Sequence, residues 1–312
     1  MPSHTGHAVV REFAGVPNLN AIPAICAWKQ GPRAAGRQAG IYGWSEVVDF
    51  MLKAILFDVD GTLAETEELH RRAFNLAFAE HGLEIEWNAE EYRERLRVTG
   101  GRERLARYFQ LRGIAMDDAR IAAIHATKNA RYAAMLAGES VRLRTGARRL
   151  IEEAREARLK LGIVTTTSAV NLDALLGPLL GDGSGQWTSG FDSVVTGDEV
   201  ARKKPAPDAY ELCLQRLGIA AADAIAIEDS PAGVASARAA GIAVLAAPSR
   251  FTLGEDFSEA DMVVPDLGEP DSPWLCPAPG FPHRWVDVEG LREVVALAQG
   301  TRRPAGAAPV PA

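Results

Sequence analysis

Two carboxylates, Asp58 and Asp60, stand two residues apart and are followed by Gly61 and Thr62. Three more polar groups close later apolar runs: Thr165-Thr166-Thr167-Ser168, then Lys203-Lys204-Pro205, then Glu228-Asp229. Taken singly, each reads as a turn or cap, because Asp, Ser and Thr recur where strands pass into helices. Taken together they amount to several carboxylates, a hydroxyl and an ammonium. Gathered at one edge without a cation, such carboxylates repel strongly. A hard divalent ion resolves the conflict, and Mg²⁺ accepts one or two carboxylates with water and phosphate oxygens. The chemistry this set supports is phosphoryl transfer. Asp58 is the candidate nucleophile at phosphorus. Asp60 lies one strand period on and can face the same side. It can protonate the leaving alcohol and then activate water. Thr165 and Lys204 can hold the equatorial phosphoryl oxygens. Asp58, Asp60, Glu228 and Asp229 are the candidate metal carboxylates, with Glu228 either a ligand or a support for one.

Such a set needs a scaffold that brings four loops to one edge. The apolar run 52–57, ending in polar and Gly residues, fits a buried parallel strand. Further strands are expected at 159–164, 193–195, 224–227 and 242–246, with an edge strand at 262–264. Helices are expected at 147–158, from 169 to about 176, at 207–217 with Pro207 near its first turn, and at 231–240 closed by Gly241. This alternation implies an α/β fold, a Rossmann-like parallel sheet covered on both faces. In such sheets ligands bind at the carboxyl ends of the strands. Between the first two strands lies a helical insertion. Its first helix, 65–80, carries Leu69, Ala73, Leu76 and Ala77 on one side, and helices at 89–98, 102–111 and 118–136 follow. It reads as a small α-helical cap over 66–143, inserted in a core of 51–65 and 144–265, with hinges at 64–67 and 143–146. Residues 181–190 are a flexible loop by composition. Residues 266–299 are expected to pack on the core, and 300–312, rich in Pro and Ala, to be a disordered tail.

Asp58-Val59-Asp60-Gly61-Thr62-Leu63, Thr165, Lys204-Pro205-Ala206-Pro207-Asp208 and Glu228-Asp229-Ser230 together resemble, in order and spacing, the four motifs of the haloacid-dehalogenase-like (HAD-like) hydrolases. The resemblance covers about 51–247, and the helical insertion resembles the small cap of the phosphoglycolate phosphatase and β-phosphoglucomutase branch. The wording of Asp58 through Asn75, Glu91 through Glu94, Thr99-Gly100-Gly101, Ile124 through Lys128, Thr165 through Ser168 and Lys203 through Asp208 resembles the CbbY-type phosphatases. These remove xylulose-1,5-bisphosphate, an inhibitor of Rubisco. The resemblance implies a ketose bisphosphate cleaved at one phosphate, placing the chain in the Calvin cycle, with Glu67, the loop Thr99-Gly100-Gly101-Arg102-Glu103, His125 and Lys128 lining the site. The residues themselves allow a second anion on the cap. Gly100 and Gly101 beside Arg102 let backbone N–H groups approach a phosphate, and His70, His125, Lys128 and Arg144 are further candidate contacts. For His125 and Lys128 composition supports packing and binding equally. Arg104, Arg107 and Arg131 read as a solvated face. Arg102 stands where the group more often has Lys, which keeps the charge but changes the hydrogen-bond geometry. The segment 265–290, with Trp274, Cys276 and Trp285, matches nothing in the pattern.

The 312 residues, 47% hydrophobic and 24% charged, supply enough apolar material for a substantial core. A net charge of −7 argues against general binding to nucleic acid or anionic membrane. No stretch is long and apolar enough to cross a bilayer. Cys26, Cys213 and Cys276 form neither a disulfide framework nor a metal-ligand spacing, which points to the cytoplasm. Residues 1–50 lack sustained periodicity and read as a disordered extension or a mis-called start before Met51. The expected partner is a small sugar phosphate, and the family resemblance implies a monomer. A phosphomutase of the β-phosphoglucomutase type or a phosphoglycolate phosphatase would share every core residue. A non-catalytic phosphosugar sensor would tolerate loss of Asp58 or Asp60, and both are present.

Overall fold

The computed structural model describes residues 52–181, 187–281 and 283–302; the expectations for 1–50 fall outside them. β1 (Ala54–Phe57) is buried along its whole length, as a strand covered on both faces must be. It pairs in parallel with β2 (Lys160–Val164) on one side and β4 (Ala224–Glu228) on the other. With β3 (Ser193–Val195), β5 (Ala243–Ala246) and β6 (Met262–Val263), the sheet runs β3-β2-β1-β4-β5-β6, all parallel. Connections leave β1 in opposite directions, so the order reverses there. That is the switch point at which open α/β sheets bind ligands. The register sets Phe57 beside both Ile163 and Ile227, which brings Asp58, Val164 and Glu228 to one level.

α5 (Ala147–Glu156), α6 (Ala169–Leu180), α7 (Asp208–Leu217) and α8 (Pro231–Ala239) flank the sheet. α6 runs past the expected end at 176, with Pro178 inside it. Of the loop expected at 181–190, residues 182–186 lie outside the described set. Trp187–Gly190 instead form a 3₁₀ turn in which Trp187 is buried, meets Phe191 edge-on and donates to Asp173. The unplaced segment 265–290 lies along the core. Arg149 donates to the carbonyls of Leu267, Gly268 and Val286, and Trp274 donates to Asp266. It leads into α9 (Val288–Arg302), whose Val288, Leu291, Val294 and Val295 join the core cluster. Residues 300–302 therefore finish a helix rather than begin a tail, and 303–312 lie outside the described residues.

Between β1 and β2 stand α1 (Glu67–Glu80), α2 (Ala89–Arg95), α3 (Gly101–Leu111) and α4 (Asp118–Gly138). Asn88 and Glu91 close a reciprocal capping box on α2, and Asp117 caps α4. The insertion has its own aromatic core, with Phe74, Phe78, Trp87, Tyr92, Tyr108 and Phe109 buried. Leu76 departs from the expected stripe on α1 and is 44% exposed. His70, Phe74 and Phe78 are buried beside Leu69, Ala73 and Ala77 instead. The apolar stripe turned one residue because Phe74 and Phe78 fill more of the inner face than Leu76 could. The two connecting strands meet where Ala64 bridges Leu143 antiparallel and Arg144 donates its N–H to Leu63 O at 2.7 Å.

Candidate active site

β1 ends at Phe57, and the chain turns at Gly61, whose φ is +89°. A Cβ at Gly61 would stand 2.1 Å from Asp229 Oδ2, so only glycine lets the first loop lie against the fourth. The register then places Asp58, Glu228 and Asp229 together. All three are buried, and one carboxylate oxygen of each lies within 4.8 Å of the others. Lys204, 4% exposed, sits among them. Its Nζ donates to Asp58 Oδ1 at 2.6 Å, Glu228 Oε1 at 2.7 Å and Val164 O at 2.8 Å. Tyr210 adds a hydroxyl donor to Glu228 Oε1 at 2.6 Å. One ammonium does not balance three buried carboxylates. Burial, opposed by Lys204 and reinforced by Glu228, pushes Asp58 up to about 7. Burial and the Asp58 charge push Asp229 well above the carboxylate range. Lys204 is raised, because Asp58 and Glu228 outweigh its own burial. Glu228 Oε2 is buried with no hydrogen-bond partner. An oxygen-only donor set short of positive charge, with an orphaned carboxylate oxygen, fits a hard divalent cation.

Asp60 does not belong to that trio, contrary to its expected place among the metal carboxylates. Its Oδ1 accepts from Thr66 Oγ1 at 2.6 Å and lies 3.1 Å from His70 Nε2. Lys128 Nζ lies 2.7 Å from His70 Nδ1. An ammonium only donates, so His70 Nδ1 accepts and Nε2–H faces Asp60. His70 is lowered by burial and by Lys128. Burial alone would raise Asp60, but the His70 and Thr66 contacts outweigh it and hold it at about 2. Asp60 is thus tied to the insertion through Thr66 and His70, although it shares the loop of Asp58.

One cavity joins these groups to the insertion. The core lines it, as a floor, with Asp58, Asp60, Thr165, Thr166, Thr167, Ser168, Lys204 and Asp229, and the insertion, as a roof, with Glu67, His70, Thr99, Gly100, Gly101, His125 and Lys128. Thr99 Oγ1 donates to the Lys204 carbonyl, so the loop entering α3 touches the loop carrying the lysine. A Cβ at Gly101 would lie 2.5 Å from His125 Nε2, which explains glycine there. Lys128 is 4% exposed, and burial lowers it to about 7; Asp60 opposes this and Arg104 adds to it. Burial together with Lys128 and Lys203 lowers His125 to about 4.

Three expected contacts are placed elsewhere. Arg102 is exposed and Glu103 pairs with Lys203 at 3.1 Å; neither lines the cavity. Arg144 donates to the carbonyls of Gly61, Ala247 and Pro248, pinning the base of the insertion rather than reaching a ligand. Arg104, read from the sequence as solvated, is 9% exposed and lines the cavity. Its guanidinium donates to Arg95 O, Val98 O and the Tyr92 hydroxyl, and lies over the Phe74 and Tyr92 rings. Tyr92 donates in turn to Glu67 at 2.9 Å. Two residues apart on α3, Arg102 and Arg104 lie on opposite faces, and helix phase was the only signal that could have told them apart.

The haloacid dehalogenase-like hydrolase profile matches residues 52–241. Protein CbbY of Rhodobacter capsulatus is 50% identical over 216 residues, covering 69% of this chain and 94% of that protein. The plasmid-encoded CbbY of Cupriavidus necator is 45% identical over 247 residues, covering 77% and 96%. A crystal structure of a CbbY variant from Rhodobacter sphaeroides in complex with xylulose-1,5-bisphosphate is 43% identical, with a TM-score of 0.65, covering 69% of this chain and 95% of that one. With its parallel sheet, its inserted helices and these relatives over most of their length, the chain belongs to the haloacid dehalogenase-like hydrolases and, within them, to the CbbY group.

Proposed function

We propose that this hydrolase is a Mg²⁺-dependent phosphatase that cleaves xylulose-1,5-bisphosphate to xylulose 5-phosphate and phosphate. The observation that carries the reading is the cavity between core and insertion: a carboxylate-lysine floor that suits a reacting phosphoryl group, and a roof where the buried or half-buried side chains of Arg104, Lys128 and His125 stand beside His70 and Glu67. A sugar with one phosphate occupies the floor; a second phosphate matches the roof. The likeness to a CbbY structure holding xylulose-1,5-bisphosphate supports the same choice.

Asp58, Glu228 and Asp229 would hold Mg²⁺, and the ion when bound supplies positive charge to the phosphoryl oxygens and to these carboxylates. An Asp58 carboxylate oxygen attacks phosphorus, the ester P–O bond breaks, and an aspartyl-phosphate forms. Lys204 and the Thr165 hydroxyl and N–H hold equatorial oxygens as charge develops. Asp60 is ionised in the resting site, and the approach of a phosphate anion disfavours that charge. It can therefore arrive protonated, pass the proton to the leaving sugar oxygen, and recover one from the water that attacks the aspartyl-phosphate phosphorus as the Asp58 oxygen–phosphorus bond breaks and phosphate leaves. His70, held between Lys128 and Asp60, fixes the orientation of that carboxylate. The connectors Ala64 and Leu143 are the hinges about which the insertion opens to admit substrate.

The test is phosphate release across sugar mono- and bisphosphates, with interconversion of β-glucose 1-phosphate run alongside. Mg²⁺-dependent release that is fastest from xylulose-1,5-bisphosphate is the expected result. Interconversion without release would instead make the enzyme a phosphomutase on the same core.

A further inference from the structure

One residue of the α/β core lies inside the aromatic core of the insertion. Phe251, in the loop after β5, is 8% exposed and belongs to the cluster whose other buried members all come from residues 74–124. Its ring meets Tyr92 edge-on, with centroids 5.8 Å apart and planes at 88°. The backbone is held as well. Arg93 of α2 donates to Phe251 O at 2.9 Å and to Arg250 O at 3.2 Å.

The same short loop grips the acidic trio from its other side. Thr252 Oγ1 donates to Asp229 O at 2.5 Å, and accepts from Ser249 N at 2.9 Å. The Ser249 hydroxyl lies 3.0 Å from Thr252 Oγ1, and its dipole favours the ionised Asp229 carboxyl. Upstream, the carbonyls of Ala247 and Pro248 are fixed by Arg144 at the foot of the insertion. Tip and base of the loop thus belong to different bodies: the ring to the insertion, the hydroxyls to Asp229. Tyr92 extends the line, since the ring that meets Phe251 also orients Glu67 on the cavity wall.

We propose that Phe251 is a positioning residue that couples seating of the helical insertion to the placement of Asp229, through Ser249 and Thr252. When the insertion opens, the ring leaves its aromatic slot and the loop loses its outer anchor. Asp229 is then held less firmly until the insertion closes over a substrate. An aromatic side chain suits this task because leaving the slot exposes a large apolar surface, which gives the seated state a strong preference. A side chain that only filled space in the insertion would need no bonds from its neighbours to the acidic trio.

The inference rests on reading Asp229 as part of the phosphoryl-transfer site, so its test includes a measurement independent of turnover. Hydrogen exchange of Phe251→Ala, compared with the unaltered protein, is expected to quicken in the insertion and also in the segment 227–230, by about 3- to 30-fold. Mg²⁺ needed for half-maximal hydrolysis of p-nitrophenyl phosphate is expected to rise in the same range, while Phe251→Leu restores much of both. A double-mutant cycle with Thr252→Val should be non-additive. Faster exchange confined to the insertion, with Mg²⁺ dependence unchanged and additive effects, would overturn the coupling and leave Phe251 as packing. Absence of phosphatase activity in the unaltered protein would defeat the proposed function, while the exchange pattern would still decide the coupling.

Discussion

The two ends of the cavity are built on opposite electrostatic plans. At the floor, three buried carboxylates share one lysine, and their burial raises Asp58 and Asp229. At the roof, Arg104 and Lys128 are buried with no carboxylate in direct contact among the described residues, Glu67 reaching Arg104 only through the Tyr92 hydroxyl, and burial lowers Lys128 and His125. The floor is short of positive charge and the roof of negative charge. Each deficit costs stability and each defines what completes it: a cation below, an anion above. The proposed bisphosphate and metal would answer both at once. Between them His70 touches both systems, taking a hydrogen bond from Lys128 and giving one to Asp60.

The harshest way to break the comparison is at the floor. Asp58→Asn keeps the shape and removes the nucleophile, so hydrolysis should fall by about 10³-fold or more with the fold intact by circular dichroism. Persistence of the original rate would mean that another group attacks phosphorus. Chelation of divalent ions should bring turnover to background and re-added Mg²⁺ should restore it. Mg²⁺ should also raise the melting temperature, since saturation at a hundred times Kd stabilises by about 2.7 kcal/mol. An unchanged melting curve would speak against a metal at the trio.

The roof is tested by contrast within one helix. Arg104→Lys should raise KM for a bisphosphate by about 10- to 100-fold, the equivalent of one charged hydrogen bond, and leave a monophosphate nearly unaffected. Arg102→Lys should change neither by more than about twofold. The reverse ranking would return the second phosphate to the loop before α3.

Lys128 carries a pH signature. Folded, it loses its proton near 7; unfolded, it keeps it to its ordinary value of 10.5. The cost of charging it is therefore present in full below about pH 7 and fades as pH climbs towards 10.5. Lys128→Met should raise stability by about 2 kcal/mol at pH 6 and by less at pH 9, while kcat/KM for a bisphosphate falls about 10-fold. Equal stabilisation at both pH values would show that the lysine is not depressed. A further small effect belongs to the rim. Glu103→Gln removes a half-exposed pair with Lys203 and should alter KM less than about fivefold.

Much of the floor was legible in the chain. Short apolar runs ending in Asp58, Thr165 and Glu228 can be buried only as central strands, and parallel strands deliver their carboxyl ends to one edge. Gly61 stood at the turn after the first strand, but only the fold showed Asp229 to be the neighbour that requires glycine there. The helices of the insertion were legible from period and caps, but their inner faces were not: Leu76 was expected inside and lies outside.

What the sequence determined, then, is the order of elements and the chemistry available at each strand end, because local periodicity and residue type decide both. Only the tertiary structure decided the rest. It turned Arg104 in and Arg102 out, since helix phase relative to α4 is set by packing and not by composition. It drew Asp60 away from the carboxylate trio, because Thr66 and His70 offer it donors that the strand pattern does not reveal. It made Arg144 a clamp on three carbonyls and set Phe251 inside a cluster more than a hundred residues earlier in the chain. Contacts of that separation depend on how two bodies meet, and no local pattern encodes them.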